Sequence, residues 1–455
     1  MSFTIVGQGG SLVGRVPQRE ATMSLSKIAA LARAIAAIAG IAVLCGSVSG
    51  AADLPAFPGA QGWAAQTPGG RGGQILRVTT LAPSGPGSFG AAVDTPGPRI
   101  VVFEVGGVID LGGHTIKVAE PYLTIAGQTA PSPGITFIRG GFDIVTHDVV
   151  VQHIHVRPGE AGFPKVSGHD FDAISTVAGH DVIVDHCSLT WATDENLSAS
   201  GPRFTGSTPD EWRKGTSHRV TFSNNIIAEG LANATHAKGE HSKGSLIHDN
   251  ATEIMIVGNL YAHNWERNPL FKGGVRGMVL NNFIYDPGPR ALHYNLIAEE
   301  WGDHARQVGR MVAIGNVLRA GPSTPESIAF MMLGGSGSLE WYAADNIAVD
   351  RIGGPLPQFG RYTTAPVGLV PIERPQLPGG MALLPAAEVQ DAVIRNAGAR
   401  PWDRDAVDAR IVANAIEGRG GVINSEQDVG GYPAYPETRA AFDPNAWDLR
   451  FMTRK

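Results

Sequence analysis

The chain of 455 residues has only two cysteines, Cys45 and Cys187. Charged residues make up 17% and aromatics 7%, and no apolar run is long. Each scarcity excludes something. Two cysteines cannot build a disulfide framework, so stability has to come from burial and packing. So low a charged fraction argues against a disordered chain and for a large stacked interior. A net charge of −6 gives no global basic field to recruit nucleic acid, and any polyanion must be met by a local patch. The apolar run over residues 34–45 falls short of the roughly 20 residues a membrane helix needs. No long amphipathic helix interrupts residues 95–350, which disfavours βαβ folds with their crossover helices.

That apolar run has a use. Lys27 and Arg33 precede it and small residues follow at Ser47, Ser49, Gly50, Ala51 and Ala52, the pattern of a secretion signal. Met23 is the expected start, and residues 1–52 are expected to be removed, giving a secreted protein, extracellular or periplasmic. Cys187 is then the only cysteine left. Loss of Arg15, Arg19, Lys27, Arg33 and Glu20 takes the net charge from −6 to −9.

What is plentiful is glycine, 59 residues, and short β-type runs separated by Gly, Asn, Asp and Pro. Residues 100–105, 122–125, 148–156, 181–186, 218–222, 253–257 and 277–280 are β-branched and often alternating. Asn225, Asn259, Asn282, Asn316 and Asn346 follow the later runs, 34, 23, 34 and 30 residues apart. His153 and His186, 33 apart, are read as holding the analogous place earlier. Irregular spacing about a coil-sized mean is the mark of a solenoid whose insertions enter at turns. Asn tolerates left-handed backbone and can hydrogen-bond to its copy in the next coil. The pattern predicts an all-β parallel β-helix of about ten coils over residues 53–350. Beyond it, seven prolines from Pro355 to Pro385 mark an extended wrapping segment, followed by helices over 386–397 and 403–417. Residues 351–455 are therefore expected to cover the helix rather than form a domain.

Two patches carry chemistry. Asp172 opens one strand and Asp194 lies one coil later, so stacking would bring them to about 5 Å. Paired carboxylates repel unless a cation lies between them, and an oxygen cluster suits Ca²⁺, although two solvated turn aspartates would look the same. Asp185 and His186 read as a buried hydrogen-bonded pair at a turn. The second patch is basic: His236, Lys238, His241 and Lys243, then Arg267 and Lys272, five residues apart across Pro269. On successive coils these would form a cationic strip suited to carboxylated sugar. Glu240, Asp249, Glu253 and Glu266 nearby support the plainer alternative of ordinary solvated charge.

Several segments resemble the pectate lyases of polysaccharide lyase family 1. They are residues 56–62 (AFPGAQG), 69–73 (GGRGG), 123–131 (LTIAGQTAP), 184–188 (VDHCS) and 267–270 (RNPL). Residues 404–410 (RDAVDAR) look like the family's bacterial members. The resemblance implies a right-handed, single-stranded parallel β-helix (a pectin lyase-like solenoid) and Ca²⁺-dependent β-elimination of α-1,4-polygalacturonate. Asp172 and Asp194 would then be calcium ligands, Arg267 the base at C5, Lys243 a catalytic and substrate-binding cation, and Lys272 a second substrate-binding position. Two residues depart from the family pattern. Ser198 stands where a further carboxylate is usual, leaving Glu195 or Asn196 to supply the oxygen, and Lys272 lacks the bidentate fork of an Arg. The implied partner is an acidic plant cell-wall polysaccharide acted on by a monomer, with no nucleic acid and no stable membrane association. A β-helix glycoside hydrolase, a pectin lyase acting on methyl esters and a non-catalytic adhesin remain alternatives.

Overall fold

The computed structural model describes residues 54–455 apart from Pro366; the expected signal region lies outside the described residues. The chain winds as a right-handed parallel β-helix, the hand that strand twist favours for parallel crossovers. Three long sheets of 11, 10 and 9 strands run its length. One coil shows the pattern. His180–Asp185 lies in the first sheet, Ser188–Thr190 in the second and Leu197–Ser200 in the third, and His218–Ser223 returns to the first. From His147–Gln152 onward only two residues separate the first two strands of a coil. The loop before the third strand varies in length, and it carries the candidate site.

Alternation along each strand selects what the interior receives. In the first sheet Val101, Ile125, Val151, Val184, Phe222, Ile256 and Val279 stand in register on successive coils. All are almost fully buried. Each such side chain contributes about 1.5–3 kcal/mol relative to exposure, and the column repeats because every coil has the same cross-section. Strands Phe359–Arg361 and Val367–Pro371 extend two of the sheets past residue 350.

The asparagines form the expected ladder. Asn225 Nδ2 donates to Asn259 Oδ1 (3.0 Å), Asn259 to Asn282 (2.9 Å), Asn282 to Asn316 (3.0 Å) and Asn316 to Asn346 (2.9 Å). The histidines sit one position earlier in the turn than the sequence suggested. His153 and His186 take the left-handed residue, equivalent to Asn224 and Asn281, with φ of 59°, 48°, 55° and 50°. The ladder position in the His186 coil belongs to Cys187, whose N–H donates to Asn225 Oδ1 at 2.8 Å. Asp185 and His186 are hydrogen-bonded (2.7 Å), and Asp185 also accepts from Gln152, Ser223 and Asn224.

The tail covers the second sheet. Helices Ala386–Asn396 and Ala406–Glu417 bring Val389, Val393, Ile411 and Val412 against Ile226, Leu260, Phe283 and Val317. Buried charge fastens the joint: Arg157 donates to Asp405 (2.7 Å) and Asp408 (2.9 Å), and Arg410 to Glu229 (2.8 Å). The RDAVDAR segment is therefore the docking strip of the covering tail. Among the described residues no helix is long and apolar enough to cross a membrane.

Two of the partly buried histidines make the fold acid-sensitive. His153 is lowered to about 4, by burial first and then by the neighbouring His186 charge, and its Nδ1 bonds the Ala399 carbonyl of the tail at 2.8 Å. Burial also lowers His248 to about 4. Both fall below the ordinary histidine value, so the folded state holds them neutral. Their contribution is complete above pH 6.5 and is lost as pH falls through 4, about 2 kcal/mol for each ring once partial solvation is allowed for. Melting temperature should therefore fall by several degrees between pH 6.5 and 4. A flat profile over that window would refute the assignment.

Candidate active site

Five successive coils approach the third sheet through loops whose last residues carry charge: Asp172, Asp194 with Glu195, Lys243, Glu266 with Arg267, and Arg290. Ile174 pairs with Leu197, so Asp172 stands in register with Glu195 rather than Asp194, one residue off the sequence expectation. The Glu195 N–H donates to Asp172 Oδ1 at 2.9 Å. Carboxylate oxygens of Asp172, Asp194 and Glu195 nevertheless all lie within 4.8 Å of one another. Glu195 bridges next to Lys243, and Lys243 to Glu266. Arg267 follows directly, and Lys272 ends the strand Leu270–Lys272.

The cationic strip read from the sequence is instead a lattice of alternating charge. Arg267 reaches back to Glu195, Lys243 is paired with Glu266, and Arg290 from the next coil shares Glu266. Lys272 pairs with Glu300 and lies 3.4 Å from Asp249, carboxylates that Arg203 also holds at 2.7 and 3.0 Å. Lys243, Glu266 and Lys272 are buried, so each pair excludes most of the surrounding water. A carboxylated ligand here would compete with protein carboxylates for the same cations.

Electrostatics mark the acidic end as a place for a cation. Burial, then the adjacent Asp194 charge, raises Asp172 well above the usual carboxylate range. Burial pushes Asp194 the same way, but the hydrogen bond and charge of His241, then Arg267 and His236, leave it lowered. His241 Nε2 lies 2.6 Å from Asp194 Oδ1, and its ring stacks on His236 at 3.7 Å. His236 is not free to ligate through Nε2, because its Nδ1 accepts the Lys238 N–H at 3.0 Å and the proton of the neutral ring must sit on Nε2. The donor set that remains, three converging carboxylates whose charges repel, fits a hard divalent cation. At the basic end, burial and then Arg290 lower Lys243 to about 7. Burial also lowers Arg267, opposed by Asp194 and Asp172.

Of the two residues considered for the oxygen missing at Ser198, the geometry favours Glu195. The Asn196 side chain is bonded to Asn264, Ala228, Lys243 and Ala192. Ser198 Oγ accepts from the Leu246 N–H. Sequence reasoning missed Arg290, Glu300 and Tyr362, whose ring lies 4.7 Å from the Arg290 guanidinium. Glu266 enters the sequence reading only as support for the alternative of solvated charge. Its position beside Arg267 was the one local signal for it. Cavities of about 890 and 870 Å³ lie elsewhere on the molecule, and the charged lattice lines neither.

No family model matches the chain. Individual relatives do. The probable pectate lyase C of Aspergillus fumigatus is 34% identical over 384 residues, covering 83% of this chain and 81% of the relative. Its namesake in Aspergillus terreus is 37% identical over 272 residues, 60% of this chain and 56% of that one. Pectate lyase 5 of Ambrosia artemisiifolia is 26% identical over 244 residues, 49% and 55%. These are fungal and plant proteins, and they lend no support to the bacterial affinity suggested by the tail. Among solved structures, the cedar pollen allergen jun a 1 covers 74% of this chain and 92% of its own at 17% identity, with a TM-score of 0.49. A pectate lyase bound to a hexasaccharide covers 75% and 97% at 13% identity, with a TM-score of 0.47. With one-third of positions identical to the Aspergillus fumigatus protein over four-fifths of both chains, this chain belongs to the pectate lyase family.

Proposed function

We propose that the chain is a secreted enzyme that cleaves α-1,4-polygalacturonate by β-elimination, with Ca²⁺ held by Asp172, Asp194 and Glu195. The observation that carries this reading is the convergence of three carboxylates with Arg267, Lys243 and Lys272 from adjacent coils of one sheet. The proton at C5 of a uronate lies next to a carboxylate, and its removal loads that group with further negative charge. When bound, the cation supplies Lewis-acid stabilisation of that charge. Lys243 binds the same carboxylate after exchanging Glu266 for substrate, and the carboxylate it then faces favours its protonated form. Arg267 takes the C5 proton, and the C4 oxygen leaves to give a 4,5-unsaturated end without attack by water. Lys272 and Arg290 orient neighbouring carboxylates along the chain. The division of labour between a coil domain, carried past residue 350 by strands Phe359–Arg361 and Val367–Pro371, and a wrapping segment after them belongs to the same reading.

The deciding assay follows enoate absorbance on de-esterified polygalacturonate with and without chelator. Activity should fall at least a hundredfold in chelator and return with added calcium. Calorimetry on Asp194→Asn should show calcium affinity down tenfold or more. Activity that persists in chelator, or that prefers the methyl ester, would refute the reading. A saturated non-reducing end in place of the enoate would identify a hydrolase.

A further inference from the structure

A second cleft, of about 870 Å³, opens on the outer face of the first sheet, where none of the proposed catalytic groups lies. Arg213, Lys214, Arg219, Arg276 and Arg310 line it, with Trp63, Met278 and Pro375 supplying apolar wall. The acids in its lining are Asp210 and Glu253. Arg219 is paired with Asp181 (2.6 Å), Arg310 with Glu340 (2.5 Å) and Arg213 with Asp210 (3.2 Å). Arg276 and Lys214 are exposed and have no ion pair among the described residues.

Arg213 is only 8% exposed and donates to Asp210 and Gln307, which fixes its charge beside the cleft. Arg276 stands directly in register with Arg310 on the next coil, and like charges opposite one another on a sheet repel. An anion lying across the two strands would relieve that repulsion. The partly buried Trp63 offers an aromatic face of the kind that packs against a sugar ring.

We infer that this cleft is a non-catalytic binding site for a carboxylated oligosaccharide, a second segment of the polyuronide chain whose cleavage is proposed above. The inference rests on that reading only for the identity of the polymer. Its function would be to hold the enzyme on the polymer between cleavages.

The test compares the full-length protein with Lys214→Ser/Arg276→Ser. Both are run by electrophoresis through gels containing polygalacturonate or its full methyl ester, in chelator, so that neither turnover nor calcium bridging contributes. Wild type should be retarded by the acid and not by the ester. The double variant should lose at least fivefold in apparent affinity, with an unchanged melting temperature. Its KM on polymer should rise severalfold while kcat on trigalacturonate stays the same. Equal retardation of both proteins, or equal retardation by acid and ester, overturns the inference. Failure of the wild type to cleave polygalacturonate in calcium would instead sink the lyase reading, and the gel comparison would still decide the cleft.

Discussion

Arg267→Ala is expected to lower turnover on polygalacturonate by about 10³-fold, in the middle of the range for loss of a positioned general base. The physical objection to an arginine base is its reference pKa above about 12. Burial answers part of it by pushing Arg267 down, although Asp194 and Asp172 pull the other way. Lys243 is the chemical rival, because its amine already lies at about 7. The pH profile separates them. A base must be unprotonated, so a rate limited by Arg267 keeps climbing through the alkaline range, whereas one limited by Lys243 levels off above about 7. Loss of less than tenfold in Arg267→Ala, or a plateau from neutral pH, would move the role to Lys243. Calcium affinity serves as the control, since Arg267→Ala also leaves Glu195 without its partner.

The parts of this protein that were legible in its sequence are the parts governed by short-range rules. Apolar alternation and an Asn after each run report one coil at a time, and the ladder from Asn225 to Asn346 follows directly. What depends on register between coils was read less well. Asp172 and Asp194 were expected opposite one another, but the loop before each third-sheet strand has its own length, and the slip of one residue put Glu195 there instead. The turn histidines slipped by one for the same reason, since a two-residue turn gives no count of which residue is the left-handed one. Pairing across coils was not legible at all. Nothing local to Arg267 announces Glu195, nor does Lys272 announce Glu300, and so a lattice of compensated charge was read as a free cationic strip.

Arg157→Ala should be the most destabilising single change outside the hydrophobic interior, at about 3–5 kcal/mol. The guanidinium is fully buried with hydrogen bonds to Asp405 and Asp408, and Ser188 donates to Asp408 as well. Burial disfavours its charge, but the two aspartates outweigh that and hold it firmly protonated, while Asp405 is held well below the usual carboxylate range. Truncation removes the cation and leaves both carboxylates inside, close to His155 Nε2 at 3.8 and 3.4 Å. Asp405 also caps the helix Ala406–Glu417 through the Asp408 N–H, so disorder at this joint loosens the helix that covers the second sheet. The expected result is a large fall in melting temperature together with new protease cleavage after residue 385. If uncompensated charge is the cause, Arg157→Met/Asp405→Asn/Asp408→Asn should be more stable than Arg157→Ala alone, because it removes the repelling carboxylates along with their partner. If the triple variant were the less stable of the two, hydrogen-bond geometry rather than charge balance would be what holds the tail.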